Sequence, residues 1–402
     1  MSYLRTMDDL PDITGRRCLL RVDWNVPFVD GKVSDVTRIE QVVPTILELV
    51  ERKAKIVILS HLGRPNSKPD EKFSLGNVLP IAECILKKKI IFVKDCIGGL
   101  LSQAVSDLSS GEIILAENVR FYPGEETNDP CFVRMLANNG DFYVNDAFSV
   151  SHREHASVAG LSRLLPSCVG RAMYKELNML EDCFSLSKKP LVAIAGGSKV
   201  STKIELLINL AKNVDKLVIG GGMANSFLFS DGIDIGQSLC QRDCFESVRQ
   251  ILFEADKYGC EIILPRDVVV AKELKKGIET QNVSVESIPR DYMILDIGHK
   301  TVEYIKKSII QAKTLIWNGP LGVFEVPPFD LSTVEIARFV AQLTKERGMI
   351  SVAGGGDTIA SLAHADVIDN FTYVSTAGGA FFTWLEGGDL PGIVALSSEH
   401  RL

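Results

Sequence analysis

In the first half of the 402-residue chain, chemistry-bearing side chains recur just after short apolar runs. The run beginning at Cys18 leads into Arg21-Val22-Asp23-Trp24-Asn25-Val26-Pro27, and Lys55–Ser60 leads into His61-Leu62-Gly63-Arg64-Pro65. Glu112–Ala116 leads into Glu117-Asn118-Val119-Arg120-Phe121. Asp141–Val144 leads into Asn145-Asp146-Ala147-Phe148 and then Ser151-His152-Arg153-Glu154-His155. A guanidinium offers a planar fork of donors that matches carboxylate or phosphate. A lone Arg of this kind is more often a weak surface ion pair. Arg or His at four such exits together predicts a basic cleft for a small polyanion, with His152 and His155 as secondary candidates.

The second half delivers glycine instead. Leu191–Ala195 runs into Gly196-Gly197-Ser198-Lys199, and Lys216–Ile219 into Gly220-Gly221-Gly222-Met223. Met349–Ala353 runs into Gly354-Gly355-Gly356-Asp357-Thr358, and Thr372–Ser375 into Thr376-Ala377-Gly378-Gly379. Glycine lets a phosphate approach the backbone, and a helix N-terminus beyond it offers free N–H groups. Lys199 and Lys203, spaced i and i+4, are expected on one face of the next helix. Asp357 is the expected Mg²⁺ carboxylate, because Mg²⁺ is commonly held by one or two carboxylates plus substrate phosphates.

The elements that must position these residues follow from periodicity. Cys18–Val22, Lys55–Ser60, Ile90–Val93, Glu112–Ala116 and Asp141–Val144 read as strands. Arg38–Lys53, Gly76–Lys88, Ile97–Leu108 and Pro130–Asn138 read as helices between them; Ile39, Val42, Val43, Ile46, Leu47 and Val50 recur at helical spacing. Such alternation implies a parallel sheet covered on both faces. The second half repeats the pattern, with further strands at Glu261–Leu264, Met293–Asp296 and Thr314–Trp317 and helices at Thr202–Val214, Arg242–Tyr258, Thr301–Ala312 and Ser332–Arg347. The fold expected is α/β: two doubly wound parallel-sheet (Rossmann-like) domains joined by a hinge helix, Met173–Leu186, that ends at Ser187-Lys188-Lys189-Pro190. The boundaries drawn are 1–172, a linker 173–189, 190–389, and a C-terminal segment 390–402 that is a candidate for returning to the first domain.

Composition narrows the function. Lys and Arg total 44 against 51 Asp and Glu, a net charge of −7, which disfavours nucleic-acid or membrane-surface binding by overall charge. Residues 1–188 hold 12 Arg and 11 Lys, residues 189–402 only 7 Arg and 14 Lys, so side-chain anion recognition concentrates in the first half. No apolar run reaches membrane-spanning length and the N-terminus lacks a signal-like apolar region. The nine scattered Cys form no zinc pattern and are expected to be buried thiols in a reducing cytoplasm. P-loop, protein-kinase, dinucleotide and serine-hydrolase motifs are all missing. One lobe for a small anion and one for a phosphate-rich ligand make a phosphotransferase the simplest enzyme.

At these same segments, together with Trp317–Glu325 and Ser375–Gly387, the sequence resembles the phosphoglycerate kinase family, in the family's order and over essentially the whole length. The resemblance implies reversible phosphoryl transfer from 1,3-bisphosphoglycerate to ADP, by a usually monomeric, hinge-bending enzyme. Carried over by motif, Asp23, Asn25, Arg38, His61, Arg64, Arg120 and Arg153 bind the phosphoglycerate. Gly197, Lys199, Lys203, Asn318, Glu325, Gly355, Gly356, Asp357 and Thr358 serve the Mg-nucleotide. Arg38, Lys199 and Gly355 are the expected catalytic group, with Asp357 on the metal and Glu325 on the ribose. The expected partners are these small molecules alone, with no nucleic acid and no membrane. The sequence departs from the family at Ala377, at the bulky Phe381–Trp384 stretch, at His299 and at Arg266. A catalytically inactive nucleotide-binding regulator of the same fold is the alternative; it predicts damage at Arg38, Lys199 or Asp357, and all three are present.

Overall fold

The computed structural model describes residues 4–183 and 189–397. By contacts the chain divides into two compact units, the first holding residues up to 178 together with those from 389 on, the second residues 179–388.

In the first unit the strands are β1 (Arg17–Val22), β2 (Phe28–Val29), β3 (Lys32–Val33), β4 (Lys55–Leu59), β5 (Ile91–Val93), β6 (Ile113–Ala116), β7 (Phe142–Asp146) and β8 (Ser167–Val169). Six of them form one parallel sheet in the order β5-β6-β4-β1-β7-β8, and β2 and β3 form a small hairpin. Successive strand residues feed opposite faces. Leu20, Ile58, Leu115 and Val144 pack into one apolar cluster, whereas Leu19, Val57, Ile114 and Tyr143 pack into another. Burial on both faces is why these strands read as continuous apolar runs.

The helix expected over Arg38–Lys53 is two helices, Thr37–Gln41 and Val43–Glu51. Pro44 lacks the N–H that would bond the carbonyl of Glu40, so the first turn ends at Val42. That break leaves Arg38 on a short helix of its own. Pro130–Ala137 forms as the sequence indicates, with Pro130 in the first turn and the Asp129 carboxylate accepting from the Phe132 N–H at 2.8 Å. The C-terminal helix Pro391–Ser397 packs within this unit, where the Gly392 N–H donates to the Ser151 carbonyl.

The second unit holds β9 (Leu191–Ala195), β10 (Lys216–Ile219), β11 (Glu261–Ile263), β12 (Asp267–Ala271), β13 (Gln281–Ser284), β14 (Met293–Ile297), β15 (Thr314–Asn318), β16 (Ile350–Gly354) and β17 (Tyr373–Ser375). Six form a parallel sheet in the order β11-β10-β9-β15-β16-β17, the doubly wound order in which the winding reverses between β9 and β15. One sequence expectation is corrected here. Met293–Asp296 does not join the parallel sheet; β14 pairs antiparallel with β12, which pairs with β13 in a separate three-stranded sheet. β12 went unread as a strand because polar Asp267 opens it. That carboxylate is occupied, accepting from the Thr301 N–H at 2.8 Å at the start of the helix His299–Ile309.

Candidate functional site

The four central strands of the first sheet, β6-β4-β1-β7, are the four whose exits carry Arg, His or Asp. The winding reverses between β1 and β7, where open α/β sheets take their ligands. Asp23, buried past the end of β1, is the hub. Its Oδ2 pairs with Arg38 Nη1 at 2.9 Å and accepts from the Ser149 hydroxyl; its Oδ1 accepts from the Asn25 N–H at 3.2 Å. Arg38 also donates to the Asn25 carbonyl at 2.8 Å, and Asn25 Oδ1 accepts from the Gly63 N–H at 2.8 Å. Arg120 closes the ring by donating to the Gly63 carbonyl at 2.8 Å. Asn118 holds that turn, capping Val119–Phe121 and donating to the carbonyls of Leu62 and Phe73.

His61 Nδ1 lies 3.8 Å from Asp23 Oδ1, yet the imidazole is neutral. Burial pushes its pKa well below the usual value, and Arg21, Arg120 and Arg38 push it further the same way. His155 behaves alike, held at about 3 by burial and then by Arg120, Arg21 and Arg153. Arg120 is lowered to about 10, chiefly by burial and then by Arg21 and Arg153. These mutual influences identify one positive cluster of Arg21, Arg38, Arg120 and Arg153. Arg64 stands apart, exposed and without an ion pair among the described residues.

Arg21, read as part of the first strand's exit but given no binding role, sits inside β1. It is 1% exposed, donates from Nε to Ser157 at 2.9 Å, and lies 3.2 Å from His61 Nδ1. Ser157 in turn donates to the fully buried Glu125 at 2.6 Å. The available signal was a charge in an otherwise apolar run that needed a buried partner.

In the second unit, the loops after β9 and β15 meet at the sheet's reversal. Lys203 Nζ donates to the Gly196 carbonyl and to Asn318 Oδ1, both at 2.7 Å. Asn318 Nδ2 donates to the Gly354 carbonyl at 2.8 Å. The Thr358 hydroxyl accepts from the Gly319 N–H at 2.7 Å and donates to the Gly354 carbonyl at 2.9 Å. Lys203, Asn318 and Thr358 therefore tie three loops into one knot. Burial lowers the Lys203 pKa to about 8, with Asp357 opposing.

Lys199 and Lys203 do not share a helix face. Lys199 has extended dihedrals ahead of a 3₁₀ turn, and Lys203 caps the helix Ile204–Asn213 in a non-helical conformation. The Lys199 side chain is exposed and unpaired among the described residues. The glycines also divide by role. A Cβ on Gly196 would lie 1.8 Å from the Pro320 carbonyl oxygen, and one on Gly221 2.8 Å from that of Gly197. The first N–H groups of the helix Gly221–Ser230 already donate, Gly221 to Leu321 and Met223 to Gly197. Gly220–Gly222 thus allows close loop packing. Gly356 differs: a Cβ there meets nothing, so packing gives no reason for glycine. Gly355, at φ +101°, caps the helix Gly356–His364.

A cavity of about 400 Å³ opens beside these loops. Gly197, Ser198, Glu325 and Asp357 border it, and its far wall is apolar, including Pro265, Met293 and Leu295. The unforeseen antiparallel sheet supplies much of that wall. The Asp357 carboxylate is exposed and has no hydrogen bond among the described residues, so it is available to a cation.

The departures acquire physical accounts. Phe381 is buried, its ring where a Gly354 Cβ would come within 2.4 Å, and Phe382 lies 5.9 Å from Lys203 Nζ. Ala377 has no positive φ, so glycine is not required there. His299 donates its N–H to Asn282, which proline could not do. Arg266 stacks 3.5 Å over the Tyr304 ring, whose hydroxyl donates to Glu261. Among the eight described cysteines, Cys84 and Cys131 are exposed, so not all are buried thiols as expected.

No helix among the described residues is long and apolar enough to cross a membrane. A family model described as phosphoglycerate kinase matches residues 7–388. The chain is 53% identical over 396 residues to the phosphoglycerate kinase of a Chelativorans strain, covering 98% of this chain and 100% of that one. It is 54% identical over 398 residues to that of Agrobacterium fabrum, covering 99% and 100%. The solved phosphoglycerate kinase of Coxiella burnetii superposes with a TM-score of 0.92 at 38% identity, over 99% of this chain and 100% of that chain. That of Pyrococcus horikoshii OT3 gives 0.79 at 29%, with the same coverage. A family match across nearly the whole chain and relatives more than half identical, on a fold whose guanidinium cluster and glycine loops sit where the sheets reverse, show that this chain belongs to the phosphoglycerate kinase family.

Proposed function

We propose that the protein reversibly transfers a phosphoryl group from 1,3-bisphosphoglycerate to ADP, giving 3-phosphoglycerate and ATP. The observation that carries this reading is the pairing, within one family member, of a guanidinium cluster at one sheet's reversal with a glycine-loop cavity at the other's. The first unit binds phosphoglycerate through Asp23, Asn25, Arg38, His61, Arg64, Arg120 and Arg153. The second binds the nucleotide through Gly197, Lys199, Lys203, Asn318, Glu325, Gly355, Gly356, Asp357 and Thr358.

In the ATP-consuming direction the nucleophile is the substrate carboxylate, with a pKa near 4. It is ionised at neutral pH, so no general base is required. Catalysis is then positioning and charge neutralisation on the transferring group. Arg38 and Lys199 supply positive charge, and the N–H groups at Gly355 and Gly356 supply dipoles. Within the loop knot, Asn318 and Thr358 hold Lys203 and the Gly354–Gly356 backbone in place. Asp357 with the nucleotide phosphates would hold Mg²⁺, which neutralises phosphate charge when bound. The protein acts as a cytoplasmic monomer. Intact Arg38, Lys199 and Asp357 favour the enzyme over an inactive regulator.

The test combines protein, 3-phosphoglycerate and Mg-ATP with hydroxylamine. Hydroxamate that requires both substrates is the expected result. Its absence, with both ligands still bound by calorimetry, would overturn the reading.

A further inference from the structure

Glu125 is a fully buried carboxylate in the first unit to which the proposed mechanism gives no task. It belongs to the short helix Pro123–Glu126. Both its oxygens accept from one residue, Oε1 from the Ser157 hydroxyl at 2.6 Å and Oε2 from the Ser157 N–H at 2.9 Å. Ser157 lies in the π-helical turn Ala156–Gly160 and is also pinned at its carbonyl, which accepts from the Tyr143 hydroxyl at 2.7 Å. Burial raises the Glu125 carboxyl pKa, and the charge of Arg21 is the first influence opposing it. A buried carboxylate and a buried guanidinium are thus joined through a single hydroxyl, and each relieves the cost of burying the other.

Arginine fixes the direction of every bond in this chain, because it can only donate. Its Nε donates to Ser157 Oγ at 2.9 Å, so the one hydroxyl proton of Ser157 goes to Glu125. Its Nη1 donates to the Val22 carbonyl. Its Nη2 lies 3.2 Å from His61 Nδ1, so that nitrogen accepts. Asp23 Oδ1, which would favour a proton on Nδ1, is 3.8 Å away, beyond hydrogen-bond distance. A neutral imidazole that accepts at Nδ1 carries its proton on Nε2. Nε2 of His61 makes no hydrogen bond among the described residues, and it is not a buried orphan, as Nδ1 is in His152 and His155.

We infer that Glu125 is a positioning residue: through Ser157 and Arg21 it holds His61 as the Nε2–H tautomer, a neutral donor for an anionic oxygen of the phosphoglycerate. Fully buried, Glu125 acts only through others. Losing the Ser157 hydroxyl or the Glu125 charge frees Arg21 from its fixed orientation. Nδ1 of His61 is then open to take the proton and turn it toward Asp23, which withdraws the donor from Nε2. The inference rests on the phosphoglycerate reading of this cluster.

Imidazole ¹⁵N resonances report the tautomer, because protonated and bare ring nitrogens resonate far apart. The experiment uses protein labelled with ¹⁵N-histidine, with the His61 signals assigned by their loss in His61→Gln. At pH 7 the natural protein is expected to show a protonated Nε2 and a bare Nδ1, and 3-phosphoglycerate is expected to shift the Nε2 signal. Ser157→Ala should populate both tautomers and raise the KM for 3-phosphoglycerate on the order of tenfold, with the KM for ATP unchanged. Glu125→Gln, which keeps the shape but turns one acceptor into a donor, should do the same. A protonated Nδ1 in the natural protein would overturn the inference and leave the phosphotransfer reading standing. So would an unmixed Nε2–H tautomer in Ser157→Ala. If 3-phosphoglycerate bound and left every His61 signal in place, the phosphoglycerate reading of this cluster would fall, and the inference with it. Should Glu125→Gln not fold, the natural protein and Ser157→Ala still decide.

Discussion

In the first unit, Arg21, Arg38 and Arg120 each direct donors at a neighbouring hydroxyl, carboxylate or carbonyl, so the positive charges are fixed by side-chain partners. In the second, the fixed partners are carbonyls and N–H groups of glycine-rich loops, with a single half-buried lysine at their centre. The two units meet the same demand, holding anions, with different materials. Guanidinium forks keep their charge across the working pH range and tolerate modest backbone change. A backbone cradle needs glycine at defined positions, and a desolvated lysine titrates far closer to neutrality.

The largest effect expected separates the units by rate. Arg38→Ala removes a charge from the first unit, and turnover should fall on the order of 10³-fold or more. ADP binding, titrated calorimetrically on the same variant, should not change. A loss of ADP affinity as large as the loss of rate would remove Arg38 from its catalytic role.

A pair of alanine substitutions tests the backbone half. Gly196→Ala forces a Cβ to within 1.8 Å of the Pro320 carbonyl oxygen, and overpacking of that kind costs about 1–3 kcal/mol or more. Gly356→Ala meets nothing and should leave the melting temperature unchanged, yet weaken nucleotide binding about tenfold, roughly 1.4 kcal/mol. Melting curves beside nucleotide titrations distinguish the two. Equal nucleotide affinity in Gly356→Ala would mean that no phosphate approaches that backbone.

The sequence yielded most where burial is two-sided. The parallel strands flanking the site read as apolar runs, and of the residues punctuating their exits the fold ties together Asp23, Asn25 and Arg120 but leaves Arg64 and Lys199 exposed. It yielded least where context decides. Arg21 stood at the first exit but received no role, because its partners, Ser157 and His61, lie 136 and 40 residues away. The second sheet's antiparallel neighbour was unreadable because β13 is short and polar and β12 starts with an aspartate. The i,i+4 rule misled at Lys199 and Lys203 because helical spacing holds only inside a helix, and this one begins after Lys203. Glycine runs look alike in sequence; only their surroundings separate Gly220–Gly222, packed against other loops, from Gly356, open to solvent.

Titration sharpens the contrast. The Lys203 pKa, lowered to about 8, means that the ligand-free second unit loses a positive charge as pH rises through 8. Bound phosphate favours the charged form, so binding above that pH must take up a proton. Nucleotide affinity should therefore drop about tenfold between pH 7 and pH 9. Phosphoglycerate affinity should stay nearly flat over that range, because Arg120, the most shifted guanidinium of the cluster, is lowered only to about 10. Parallel pH profiles for the two ligands would erase the distinction between the units.

Phe382→Leu gives the smallest effect and probes what sets that pKa. The Phe382 ring lies 5.9 Å from Lys203 Nζ, at the outer edge of cation–π range, so its direct attraction is about 0.5 kcal/mol. Burial is the first cause of the Lys203 shift, and the ring is part of what keeps water from the ammonium group. The two contributions oppose each other. Losing the attraction disfavours the charged lysine, whereas admitting water favours it. Since desolvation dominates, the variant's midpoint for nucleotide affinity should move up from about 8 toward the ordinary lysine value, with a change of only about twofold at pH 7. A downward shift would show instead that the ring serves Lys203 more as a π-face than as a shield from water.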